Sequence, residues 1–284
     1  RRHPTKTRAS AATRFLGGPS KSGRREPICA RTLSRIRRWA NLRRRRREQP
    51  PREGRGWGYA GAEEGRGELG GMLAWDKPWR NIFRQMLGHP RIVPYLNHIV
   101  GPGFRMDHSP GLITMRKGAE GHTLHGSSGP HFDTNQYYIF RDGQIHNGLT
   151  VAAWQFTDVN SDDGGLCLIA GSHKANFSCP TEIKNWHSRQ EIVRPITCRA
   201  GDVVIFTEAV THGTLPWRAD SERRSLLYRY SPANLAYATG YNPWPETMLQ
   251  DMTSEQRAIL EPPYHRRLNR PELDDSGRLL GGAI

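Results

Sequence analysis

Between Leu112 and Tyr230 the chain is a succession of short β-branched or aromatic runs, each closed by a turn signal. Thr150–Thr157, Leu166–Ile169, Ile192–Cys198, Val203–Phe206 and Arg223–Tyr230 have the length and residue types of strands. Asn160-Ser161-Asp162-Asp163-Gly164-Gly165 and Ala200-Gly201-Asp202 are turns between them. Short strands at regular spacing fit a sandwich or jelly roll. Leu112–Arg116 is a further strand. Thr150–Thr157 and Leu166–Ile169, flanking the Asp163-Gly164-Gly165 turn, read as an antiparallel pair.

Helices flank this region. Trp79, Ile82, Phe83, Met86 and Leu87 form one apolar face over 79–87. Pro90 interrupts, and Ile92, Tyr95, Leu96 and Ile99 form a second face over Arg91–Val100, stopped by Gly101-Pro102-Gly103. Met252–Leu260 is the best helical stretch after Pro232, and Phe177–Trp186 reads as irregular. The expected class is mainly β with flanking helices.

Charge sets where folding begins. Of 42 Lys+Arg and 27 Asp+Glu, residues 1–56 hold 19 and 3, a balance of +16, leaving 23 and 24 for the rest, a balance of −1. Like-charge blocks such as Arg43–Arg47 stay solvated. Residues 49–71, rich in Gly, Pro, Glu and Arg, read as linker. The expected division is therefore a disordered tail and linker over 1–71 and a folded domain over 72–284. The tail admits two further readings, an organellar targeting segment or a nucleic-acid arm. Few aromatics accompany its arginines, so a nucleic-acid partner is not expected. The four cysteines, at 29, 167, 179 and 198, match no zinc or disulfide pattern, and no apolar run is long enough to span a membrane. The expected setting is intracellular, cytoplasmic by default.

The chemistry concentrates in three places. His131-Phe132-Asp133, if extended, puts an imidazole and a carboxylate on one side of a strand. His212 follows a buried strand 79 positions after Asp133. Two histidines and one carboxylate form the face that holds non-haem Fe(II) with open positions. Arg223 and Ser225 share a face of the next strand, where a guanidinium and a hydroxyl can grip a carboxylate. Arg224 points the other way and is the fallback. His122, His125 and His131 lie close enough to suggest zinc, but no cysteine accompanies them; His122 and His125, among Gly121, Gly126 and Gly129, read as loop residues, with substrate contact as the alternative. His173, in Gly171-Ser172-His173-Lys174, reads as a binder of turn backbone, and Gln136, Tyr137 and Tyr138 as candidates to line a pocket.

From about Gly111 to Pro232 the chain resembles the phytanoyl-CoA dioxygenase family of Fe(II)/2-oxoglutarate oxygenases. His131-Phe132-Asp133, Ala152-Ala153-Trp154, Asp163 to Lys174, Gly201 to Phe206, His212-Gly213-Thr214 and Arg223-Arg224-Ser225 carry the likeness, in the family's order. Ala170 departs from it, standing where members commonly have proline. The resemblance implies a double-stranded β-helix, a cupin-like jelly roll with its core over 111–232. It implies His131, Asp133 and His212 as metal ligands and catalytic centre. Arg223, with Trp154, Thr214 and Ser225, would bind 2-oxoglutarate. Fe(II), 2-oxoglutarate and O2 are the implied cofactors, with ascorbate a candidate helper. The implied reaction hydroxylates an unactivated C–H bond of a small organic or lipid-like molecule while 2-oxoglutarate becomes succinate and carbon dioxide. Related halogenases lack the ligating carboxylate, so its presence implies hydroxylation. Two rival readings stand beside this one: a non-catalytic or differently metallated jelly roll, and a nucleic-acid binder acting through its tail.

Overall fold

The computed structural model describes residues 12–14, 65–126, 133, 135–175, 177–237, 241–264 and 270–280. The strands that build the site are β1 (Ala12–Arg14), β2 (Arg66–Leu69), β3 (Arg105–Met106), β4 (Gly111–Met115), β5 (His122–His125), β6 (Tyr138–Arg141), β7 (Gln144–Asn147), β8 (Thr150–Gln155), β9 (Gly165–Ile169), β10 (Val193–Pro195), β11 (Val203–Thr207), β12 (His212–Leu215) and β13 (Arg223–Ser231). One antiparallel sheet runs β1-β11-β8-β13-β4-β2, with β3 also on β13; a second runs β10-β9-β12-β5. Facing antiparallel sheets with few helices make the expected jelly roll.

β8 and β9 do not pair with each other. They lie in different sheets, and the chain from Phe156 to Gly164 crosses between them. A connection of this length is under no obligation to close a hairpin, whereas β6 and β7, joined by Asp142-Gly143, form one. β11 and β13 flank β8 instead.

The large sheet is covered on both faces, so β8 is buried at all six positions. Ala152 and Trp154, with Leu226, Tyr228 and Tyr230 of β13, pack against α1 (Trp79–Leu87) and α2 (Val93–Ile99). Val151 and Ala153 point the other way and pack with Leu168, Val204 and Phe206 between the sheets. Tyr228 and Tyr230 donate their hydroxyls to the carbonyls of Phe83 and Leu87, each at 2.7 Å, which pins α1 across the sheet. α3 (Ser254–Leu260) starts at a capping box formed by Thr253 and Gln256.

α1 has its expected bounds. α2 begins two residues later than its apolar spacing suggests, with Pro94 in its first turn. Two strands fall in the segment expected to be tail and linker. β1 pairs with β11, and β2 pairs with β4 over Arg66 to Leu69, so the sheet takes strands from both sides of Met72. Four sheet-ladder residues outweigh the linker-like composition around them. Among the described residues no helix is long and apolar enough to cross a membrane, and Cys167, Cys179 and Cys198 are free.

Candidate metal and cosubstrate site

β5 and β12 are neighbours in the small sheet, and His125 lies directly opposite His212. Their rings are 4.2 Å apart between centroids. Glu208 stands on the short connection from β11 to β12, four residues before His212, with its Oε2 3.6 Å from His212 Nε2. One ligand atom from each of His125, Glu208 and His212 falls within 4.8 Å of the other two.

The two imidazoles are fixed in the same tautomer. His212 Nδ1 lies 2.8 Å from the Val210 carbonyl and His125 Nδ1 lies 3.0 Å from the Thr123 carbonyl. A carbonyl only accepts, so each Nδ1 carries a proton, which in the neutral ring leaves the lone pair on Nε2. Backbone carbonyls commonly fix metal-binding histidines in this way. Burial holds His125 below the ordinary imidazole range, and the neighbouring His212 pushes in the same direction. Two imidazoles presenting Nε2 and one carboxylate are a donor set suited to a divalent first-row metal.

Gly126 permits the approach. Its φ is +78°, and a Cβ there would stand 2.5 Å from the carbonyl oxygens of Glu208 and Val210 and 3.0 Å from His212 Nδ1. No other residue lets β5 end against the turn that carries both remaining donors.

The cluster opens into a pocket of about 540 Å³, mouth included. Thr214, Arg223, Ser225, Leu227 and Arg229 line it, together with Arg66, Phe206 and Ala153. Arg223, Ser225, Leu227 and Arg229 are alternate residues of β13 and so share its inward face. Arg223 is 4 % exposed. Its Nη1 touches the Met115 sulfur at 3.5 Å and its Nε is buried with no hydrogen-bond partner. Burial pulls its pKa down to about 10, which leaves it a cation at neutral pH. Ser225 Oγ accepts a bond from Gln155 Nε2 at 3.0 Å and keeps its own O–H for the pocket. Arg224 leaves the opposite face of the strand, where its Nε meets Glu222 at 2.8 Å.

Asp133 and Trp154, two of the expected residues, do not line this pocket. His131 is outside the described residues. Asp133 is not on a strand, and its Oδ1 accepts the Asn135 amide at 2.7 Å in a turn. Trp154 does not face the pocket: its ring packs in the core on the helix side, 5.4 Å from His89. The strand period explains this, because Ala153 takes the inward position. His122 and His125 are strand residues rather than loop residues. In the Gly171–Lys174 turn Ser172 binds backbone, through Ile169 O and Thr211 N, while His173 packs edge-on against Tyr138 at 4.6 Å. Tyr138 thus serves packing.

Glu208, and the place of His125 beside it, are the parts of the candidate donor cluster that sequence reasoning missed. A Leu-His-Gly end to a strand and a carboxylate four residues before the distal histidine were visible signals, but only the strand pairing joins them.

Comparison with known proteins agrees with this architecture. The sequence matches the family model described as phytanoyl-CoA dioxygenase (PhyH) over residues 28–225, more than half of the chain. The chain belongs to the phytanoyl-CoA dioxygenase family. The match starts well before Gly111, inside the Arg-rich segment. No protein of curated function matches the sequence. Among solved structures the chain is similar to HygX from Streptomyces hygroscopicus with nickel and 2-oxoglutarate bound, at 16% identity and a TM-score of 0.60, covering 84% of this chain and 89% of that one. The HygX structure that also holds hygromycin B gives 17% identity, the same TM-score, and 84% and 90% coverage. The epimerase SnoN in complex with Fe3+, alpha ketoglutarate and nogalamycin RO gives 16% identity, a TM-score of 0.53, and 83% and 89% coverage. At these identities the likeness is one of fold.

Proposed function

We propose that this member of the family is an Fe(II)- and 2-oxoglutarate-dependent oxygenase whose metal is held by His125, Glu208 and His212, in place of the expected His131 and Asp133. The observation that carries the reading is a single pocket. It contains a two-His-one-carboxylate donor cluster and, on the adjoining sheet, a buried guanidinium with no carboxylate partner among the described residues. HygX, with the same fold, is described with nickel and 2-oxoglutarate, and in another structure with iron.

The donor set fits a divalent iron, which when bound supplies the activation of O2. Each residue then has a defined task. Val210 O and Thr123 O keep the two Nε2 lone pairs aimed at the metal. Glu208 supplies one negative charge against its two positive ones. Arg223 offers a forked donor to the far carboxylate of 2-oxoglutarate, with the Thr214 and Ser225 hydroxyls as neutral donors beside it. Phe206, Leu227 and Ala153 form an apolar wall that excludes water and strengthens these contacts. A ligating carboxylate, now Glu208, keeps the argument for hydroxylation of an unactivated C–H bond in a small organic or lipid-like substrate.

The test is a substrate screen that reads succinate release from 2-oxoglutarate with Fe(II) and ascorbate present. Turnover that needs both iron and 2-oxoglutarate, and that disappears in Glu208→Gln, supports the reading. A protein that binds neither overturns it and leaves a non-catalytic jelly roll. Product analysis by mass spectrometry separates a gain of one oxygen from an epimerisation, which leaves mass unchanged.

A further inference from the structure

Arg66, Met115 and Arg223 stand in one row across three adjacent strands. Arg66 of β2 lies opposite Met115 of β4, and Met115 lies opposite Arg223 of β13. Directly opposed residues in an antiparallel sheet put their side chains on the same face. Arg66 therefore points to the face that Arg223 occupies, and both line the pocket beside the donor cluster. The outer strands of this row are about 9–10 Å apart, twice the strand spacing. Two long side chains reaching inward over Met115 can converge on one group from that distance.

Two guanidiniums facing one pocket repel each other. The nearness is felt: after burial and Cys198, Arg66 is the next influence on Arg223, and it opposes the charge. No described carboxylate forms an ion pair with Arg223. Glu68, two residues along β2 from Arg66, acts on Arg66 and on Arg229; Arg223 is the buried cation of the row, and an anion placed between it and Arg66 lowers the cost of that burial. A carboxylate has two oxygens and about four acceptor sites, enough for two forked donors.

We infer that Arg66 is a second cosubstrate-binding residue, closing a two-arginine clamp with Arg223 on the distal carboxylate of 2-oxoglutarate. The inference rests on the cosubstrate reading above and adds a residue from a strand upstream of every motif that carries the family likeness. It also gives β2 a purpose beyond covering the edge of β4: the edge strand delivers a charge into the site.

The test measures binding rather than turnover. The full chain is loaded with Ni(II) as a redox-inert stand-in, and calorimetry follows two ligands, 2-oxoglutarate and 2-oxobutyrate, which has the same metal-chelating end and no distal carboxylate. Arg66→Met should weaken 2-oxoglutarate about 10- to 100-fold, the range expected for a lost charge-assisted contact, and change 2-oxobutyrate and Ni(II) affinity less than about two-fold. Arg66→Lys should recover part of the loss. Unchanged 2-oxoglutarate affinity in Arg66→Met overturns the inference. Equal losses for both ligands, or a fall in Ni(II) affinity, also overturn it, because they mark a structural role. If the unaltered chain binds Ni(II) but not 2-oxoglutarate, the cosubstrate reading itself fails, a result distinct from any Arg66 phenotype.

Discussion

Glu208→Gln tests the proposed metal ligand set, because on that reading it removes a charge and a ligand oxygen while keeping side-chain volume. Its partner experiment is Asp133→Asn, which removes the carboxylate expected from the His-x-Asp motif. The amide oxygen of Asn can still accept the Asn135 amide, the contact Asp133 makes now. Structural zinc sites with four donors bind with about 10–16 kcal/mol, so one donor is worth roughly 2.5–4 kcal/mol. At 1.4 kcal/mol per decade that is roughly 60- to 700-fold in affinity. Glu208 lies 3.6 Å from His212 Nε2, so the loss falls on the metal and not on a distant part of the fold. Anaerobic calorimetry with Fe(II), with Mn(II) as a check, should show a loss of this size for Glu208→Gln and for His125→Ala. Asp133→Asn should bind metal within about two-fold of the unaltered chain. The reverse pattern, intact binding in Glu208→Gln and lost binding in Asp133→Asn, would refute the assignment and restore the motif-based one.

Three further outcomes are expected. Arg223→Ala should weaken 2-oxoglutarate by about 2–5 kcal/mol, roughly 30- to 5,000-fold, with metal affinity nearly unchanged and Arg224→Ala mild, as titrations of both variants will read. Gly126→Ala combines a left-handed φ, costing about 1–2 kcal/mol, with a Cβ 2.5 Å from two carbonyl oxygens and 3.0 Å from His212 Nδ1; metal affinity should fall about 10- to 100-fold, as when the support of a ligating histidine is disturbed. His173 is lowered to about 4 by burial, with Lys174 adding to the effect. The unfolded chain takes up this proton near pH 6.5 and the folded chain only near 4, so stability should fall by at most about 3 kcal/mol as pH drops through that window. Denaturant titrations at pH 7 and pH 4.5 should show the slope shrink in His173→Phe.

Much of the architecture was legible because strands and helices carry their own periods. Val203–Phe206 and Arg223–Tyr230 became strands with nearly the expected bounds, and the opposite facing of Arg223 and Arg224 followed from alternation alone. What alternation cannot give is which face is inward when both are covered. β8 is buried throughout, so burial does not say whether Ala153 or Trp154 faces the pocket; the family likeness pointed to Trp154, which packs in the core on the helix side. The pairing of β8 with β9 failed for a related reason: a turn signal shows that the chain reverses, not which sheet it returns to. His125 and Glu208 are 83 positions apart, and nothing local links them. They meet because β5 ends beside β12, a fact of sheet order that Gly126 makes sterically possible.

The charge of the body shows the same limit from another side. Residues 57–284 nearly balance, and such an average gives no sign of a concentrated basic surface. Register defeats that average. Arg66 and Arg223 stand opposite the same Met115 on neighbouring strands, and Arg229 continues the inward face of β13. Three cations thus line a pocket whose acidic lining residue is Glu208. A bound divalent metal makes the surplus larger, and a dicarboxylate then removes two units of it. On the proposed reading, cosubstrate binding is therefore coupled to the metal through charge as well as through chelation. The same surplus then sets an order of assembly, metal drawn first by the Glu208 carboxylate and the two imidazoles, and the dianion by the cations that remain.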